Sequence, residues 1–82
     1  MSVTGKRGVG IPTMLLHDGE GTIVTVELKS GVTYRGYLDD SEDNMNIFMK
    51  DATKILPDGK TSRVDIVYIR GSQICMIVFP NS

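Results

Sequence analysis

From Thr22 onward the chain alternates. Val24, Val26 and Leu28 are separated by Thr25, Glu27 and Lys29, a period of two that gives a strand one apolar and one polar face. Ser30-Gly31 marks a tight hairpin turn, and Val32, Tyr34 and Leu38 continue the pattern against Thr33, Arg35 and Asp39. Gly36 falls on the inward side of this second strand, where a missing side chain predicts a sharp bend or close packing. A third strand begins near Asn44, with Met45, Ile47 and Met49 on one side, and Pro57-Asp58-Gly59-Lys60 turns it back into a fourth. The last two runs, Val64 to Ile69 and Ile74 to Phe79, are apolar at nearly every position. The final run has no polar face, so part of it is expected to meet another chain, or to fill a closed barrel and a neighbour together.

Ahead of the strands, Ile11-Pro12 opens a short helix that passes through His17 and stops near Gly19 or Gly21. Two turns are marginal in water, so Met14, Leu15 and Leu16 should dock on the sheet. The expected fold class is mainly β: a short N-terminal α-helix followed by a strongly bent five-stranded antiparallel sheet forming a small open barrel. Residues 1–10, rich in Gly, Ser and Thr, read as a flexible leader, and residues 11–82 as a single domain.

Composition narrows the function classes. At 82 residues the chain supports one domain, and no apolar run approaches the ~20 residues of a membrane-spanning helix. Cys75 is the only cysteine, so no internal disulfide can form, which fits a reducing compartment. It lies in a wholly apolar strand and reads as a small hydrophobe. His17, the only histidine, sits beside the short helix with no nucleophile suggested nearby, and reads as a surface or cap residue. Asp39, Asp40, Glu42 and Asp43 do not have the spacing of a calcium loop and read as a solvated acidic turn. No strand–glycine loop–helix unit is present to hold a phosphate. The expectation is therefore a protein that is not an enzyme, with no cofactor and no metal. A net charge of −1, with basic residues scattered along the chain, excludes a simple electrostatic binder of nucleic acid. Any such binding must use a few bases in a small site, or several copies pooling their contacts.

Two phrases point to such a site. Glu42-Asp43-Asn44-Met45-Asn46 is answered 24 residues further on by Tyr68-Ile69-Arg70-Gly71-Ser72, each at the end of a β-type run. Amides and a guanidinium are the groups that read the edges and faces of unstacked bases. Taken singly, Asn46 also fits a strand-capping residue and Arg70 a solvated turn residue. Together, on adjoining loops, they favour recognition.

Val24-x-Val26-x-Leu28-x-x-Gly31, Tyr34-x-Gly36-x-Leu38 and Met45-Asn46 resemble the first signature motif of the Sm and Sm-like proteins, the RNA-binding ring subunits of splicing and RNA-decay particles. Ile69-Arg70-Gly71-Ser72 resembles the second. The resemblance covers roughly Ile11 to Pro80 and implies that residues 11–82 form a single Sm domain. Glu42, where most of the family has aspartate, and the Ile11-Pro12 start resemble the third D-type Sm subgroup. One Sm-like subgroup resembles the Val67 to Ser72 stretch nearly as well.

The resemblance implies a subunit of a heptameric ring that encircles a uridine-rich site of small nuclear RNA in pre-mRNA splicing. It implies the nucleus, with assembly in the cytoplasm. The Sm-like alternative implies uridine-rich RNA binding in mRNA decay or small nuclear RNA maturation. Implied partners are uridine-rich RNA and other Sm proteins, with B-type and G-type neighbours in the ring; no membrane is implied, and the isolated chain is open to homo-oligomerisation. Neighbours would pair through the fourth strand of one subunit and the fifth of the next, placing Val67, Ile69, Ile77, Val78 and Phe79 at the interface. The base-binding positions would be Asn44, Asn46 and Arg70, with Gly71 beside them. Glu42 would orient Asn46 or Arg70 from behind. Many relatives carry an aromatic residue or histidine where Asn44 stands, and an amide stacks less well.

Overall fold

The inward residues of the alternating stretches are the ones that become buried. In the computed structural model, which describes residues 3–7 (as backbone) and 11–80, Val24, Val26, Leu38, Ile47, Met49 and Ile77 lose essentially all contact with solvent. The elements in chain order are β1 (Val3–Arg7), α1 (Thr13–Asp18), β2 (Ile23–Leu28), β3 (Thr33–Ser41), β4 (Ile47–Ile55), β5 (Thr61–Ile69) and β6 (Ile74–Pro80). They form one antiparallel sheet in the order β1-β6-β2-β3-β4-β5. It is mainly β with a short helix, and the sheet does not close.

The expected bend lies at Gly36. A Cβ there would sit 2.7 Å from the Cα of Ala52 and 3.0 Å from the Lys50 carbonyl oxygen, so only glycine lets β4 cross this closely. The β3–β4 register slips between Arg35 and Tyr37 and again between Leu38 and Asp40. Asp51 takes a left-handed φ of 49° within β4, a conformation that Asp tolerates better than most residues. Extra residues of this kind bend and twist a sheet, which wraps the strands around one core.

Helix α1 has no side-chain N-cap and stays in place by burial. Leu16 is fully buried and Leu15 packs partly against the core. Met14, expected to dock with them, instead remains 75% exposed.

One expectation needs correction. Part of the stretch read as a flexible leader, Val3–Arg7, is a strand on the outer edge of β6, in the register Val3↔Pro80 to Arg7↔Met76; its remaining positions, 1–2 and 8–10, and residues 81–82 lie outside the described residues. This strand adds to the five expected ones, β2 to β6, which are all present. Polar composition misled here because backbone pairing makes no demand on side-chain apolarity. The residues expected at a subunit interface are covered to different degrees within the chain itself. Ile69, Ile77 and Phe79 are buried in this chain's own core, and Val67 and Val78 are half-buried. Flanked by β1 and β2, β6 covers most of its apolar surface within the chain. The apolar side chains that β5 leaves in solvent are Ile66 and Tyr68.

Candidate nucleic-acid interface

The β3–β4 connection is a tight turn. Met45 N–H donates to the Glu42 carbonyl at 2.9 Å, and Glu42 N–H donates to the Asn46 carbonyl at 2.8 Å. Closing it places Met45 in the left-handed region, φ 71°, which costs a non-glycine residue about 1–2 kcal/mol. Packing of the half-buried Met45 side chain against the core opposes that cost. Asn44 Oδ1 accepts the Asn46 N–H at 3.1 Å and stiffens the turn further.

The β5–β6 connection is a single turn of 3₁₀ helix, Gly71–Gln73. Gln73 N–H donates to the Arg70 carbonyl at 3.0 Å, and the Gln73 carbonyl accepts Lys29 N–H at 2.9 Å, which anchors the turn to the end of β2. Ile69 is buried, so its neighbour Arg70 is turned outward and is exposed.

These two connections touch at Gly71. A Cβ on this residue would lie 2.5 Å from the Asn44 carbonyl oxygen and 2.7 Å from Met45 Cβ, distances no real side chain tolerates. Gly71 N–H donates to Asn46 Oδ1 at 2.8 Å. The contact brings Asn44, Asn46, Arg70 and Gly71 into one small site, and it assigns Gly71 the closing of the two turns on each other. The hydrogen bond also divides the work of Asn46. Its carbonyl oxygen is engaged within the protein and its amide group also faces the Tyr68 hydroxyl, which leaves one N–H and one oxygen lone pair for a ligand.

The Glu42 carboxylate links the two connections through Tyr68. It accepts a hydrogen bond from the Tyr68 hydroxyl at 2.9 Å, spanning the two connections on the side where the Tyr68 ring packs on Phe48, centroids 4.6 Å apart. Sequence reading missed Tyr68 as part of the site, although its partner Glu42 was in view. The Tyr68 hydroxyl is pushed above the usual phenol value, first by desolvation and then by Glu42; the Asn46 amide and the Arg70 charge pull the other way. Tyr68 therefore lies among Glu42, Asn46 and Arg70.

The acidic stretch has separate partners. Asp39 pairs with Lys50 at 3.2 Å, Asp40 accepts the Ser41 N–H at 2.8 Å, and Asp43 faces His17 at 3.1 Å. Among the described residues no group of His, Cys, Asp and Glu is placed to hold a metal ion.

The LSM domain model matches residues 14–79, nearly the whole of this sheet and both connections. The chain belongs to the LSM domain family. Among LSM-domain proteins it is 49% identical over 76 residues to small nuclear ribonucleoprotein SmD3b of Arabidopsis thaliana, covering 93% of the chain and 58% of that relative. Further Sm D3 proteins match at 40–51% identity, and LSm4 proteins at 36–38%. The chain thus spans little more than half the length of the first of these relatives. Among solved structures it superposes on a heptameric archaeal Sm protein with a TM-score of 0.74 and 26% identity, over 83% of the chain and 98% of that protein. A Pyrococcus abyssii Sm protein in complex with a uridine heptamer gives a TM-score of 0.77 and 27% identity, over 85% and 99%.

Proposed function

We propose that the chain is a non-catalytic subunit of a heptameric Sm ring that holds a uridine-rich stretch of small nuclear RNA in splicing particles. The observation that carries the reading is the Gly71–Asn46 hydrogen bond. It fixes the Asn46 amide beside the exposed Arg70, which offers a base an edge contact and a flat cationic cover together. The remaining Asn46 N–H suits a uracil carbonyl, and its remaining lone pair suits the uracil N3–H. Arg70 lies over the base face and Asn44 closes the other side. The higher identity to Sm D3 proteins than to LSm4 proteins supports the splicing role over the Sm-like one.

The ring would form through the edges of β5 and β6, with B-type and G-type Sm proteins as neighbours. The particle would work in the nucleus after assembly in the cytoplasm. Native mass spectrometry of the chain mixed with the other Sm proteins and a short oligo-uridine tests this reading. The expected species is a seven-subunit ring with one copy of this chain and one RNA. A chain that stays monomeric and enters no ring would contradict it.

A further inference from the structure

Outside the base site, the most densely bonded polar group is the ring of His17. Its Nδ1 lies 2.9 Å from Glu20 Oε2 and 2.8 Å from Ser41 Oγ, and its Nε2 lies 3.1 Å from Asp43 Oδ1. Ser41, itself buried, donates its hydroxyl to the same Glu20 oxygen at 2.5 Å. His17 is on α1, Glu20 on the connection to β2, Ser41 at the end of β3 and Asp43 in the turn that carries Asn44 and Asn46. One ring therefore joins three segments, and one of them is half of the base site.

A neutral imidazole cannot serve both carboxylates. It has one N–H, so either tautomer leaves Glu20 or Asp43 facing a lone pair. Only the imidazolium donates at both nitrogens. The charged groups facing the ring are both carboxylates, and they raise its pKa above the ordinary 6.5, Glu20 more than Asp43. Asp43 is exposed, and among the described residues its carboxylate is paired with His17.

We propose that His17 is a positioning residue for the base site: as an imidazolium it ties α1 to the Glu42–Asn46 turn through Asp43, and so holds Asn44 and Asn46 in their binding arrangement. The role rests on the base-site reading above. The tie adds to the core packing of Met45 and to the Asn44 and Gly71 hydrogen bonds that already hold this turn, in which Met45 takes a left-handed conformation. Base binding is then strongest while His17 is charged and weakens as pH rises through its raised pKa. The change should be about two- to fivefold, the scale of an exposed ion pair.

Two measurements separate this from a merely structural role. In NMR spectra of the whole chain, the amides of Asn44, Met45 and Asn46 should titrate with the His17 ring, and His17→Gln should abolish that titration. In reconstituted rings, oligo-uridine affinity should fall about two- to fivefold from pH 6 to pH 8.5 with the unmodified chain. His17→Gln and Asp43→Asn should each flatten that profile. Turn amides indifferent to His17, or a pH profile unchanged by His17→Gln while uridine binding persists, would overturn the positioning role alone. Uridine binding at neither pH would overturn the base-site reading and the positioning role with it.

Discussion

Asn46 has two tasks that a single substitution cannot separate. Asn46→Ala removes the edge contacts to a base and also leaves the Gly71 N–H without its acceptor, in a part-buried place. It should weaken oligo-uridine binding of reconstituted rings and lower stability by about 1–2 kcal/mol, readable as a fall in melting temperature. Arg70→Ala should weaken binding by about 1–3 kcal/mol per base with no change in melting temperature, because the side chain is exposed. An equal effect of both changes on melting would contradict this division. Gly71→Ala should reduce both binding and stability, since its Cβ would force the two turns apart. That Asn44, Asn46 and Arg70 lie on two connections beside strongly patterned strands was legible in the sequence. The bond to Gly71, the Tyr68–Glu42 pairing and the His17 bridge were not, because they join residues 25 or more positions apart through side-chain geometry alone.

The same residues set a pH dependence of stability. His17 is raised above 6.5 in the folded chain, so its contribution is complete below 6.5 and is lost as pH rises through the raised value. Glu20 is lowered below 4.5, first by Ser41 and then by His17, so its contribution is complete above 4.5 and is lost as pH falls through the lowered value. Melting temperature should therefore be highest between the two ordinary values, and His17→Gln should remove the decline on the alkaline side. A His17→Gln variant that keeps the decline would contradict the assignment.

At the scale of elements, β6 matters most. Its unbroken apolar run was legible, and the sequence set part of it against another chain; within the chain, Ile74, Ile77 and Phe79 are buried. Ile77→Lys should therefore unfold the protein instead of yielding a folded monomer, because Ile77 is fully buried and an unpaired lysine there has no partner. Circular dichroism of the purified variant checks this, and a folded, cooperative Ile77→Lys chain would contradict it. Strand β1 adds a second consequence. It occupies the outer edge of β6, the edge that ring formation through β5 and β6 requires, and backbone pairing alone let a polar segment take that place. Deleting residues 1–7 should leave the β6 edge open and increase association at a given concentration, as read by sedimentation. Association unchanged by the deletion would show that β1 does not compete for the edge.

For the molecule as a whole, a net charge of −1 is consistent with RNA binding only if one small site is one of several. The overall fold was readable from the period-two pattern and Gly36, since both act through local sterics and burial. How copies or relatives would assemble can be inferred only by resemblance, because edge pairing uses backbone groups that every sequence has. The base site can be tested directly by comparing oligo-uridine with oligo-cytidine on rings carrying either the unmodified chain or the Asn46→Ala, Arg70→Ala double variant at fixed salt. Cytosine places an amino donor where uracil has a carbonyl, so the unmodified ring should prefer uridine, and the double variant should lose much of that preference and some affinity while the remaining subunits still hold the RNA. The loss should be smaller than the sum of the two single effects, since both side chains serve one base. Unchanged uridine affinity and preference in the double variant would contradict a base site at Asn46 and Arg70.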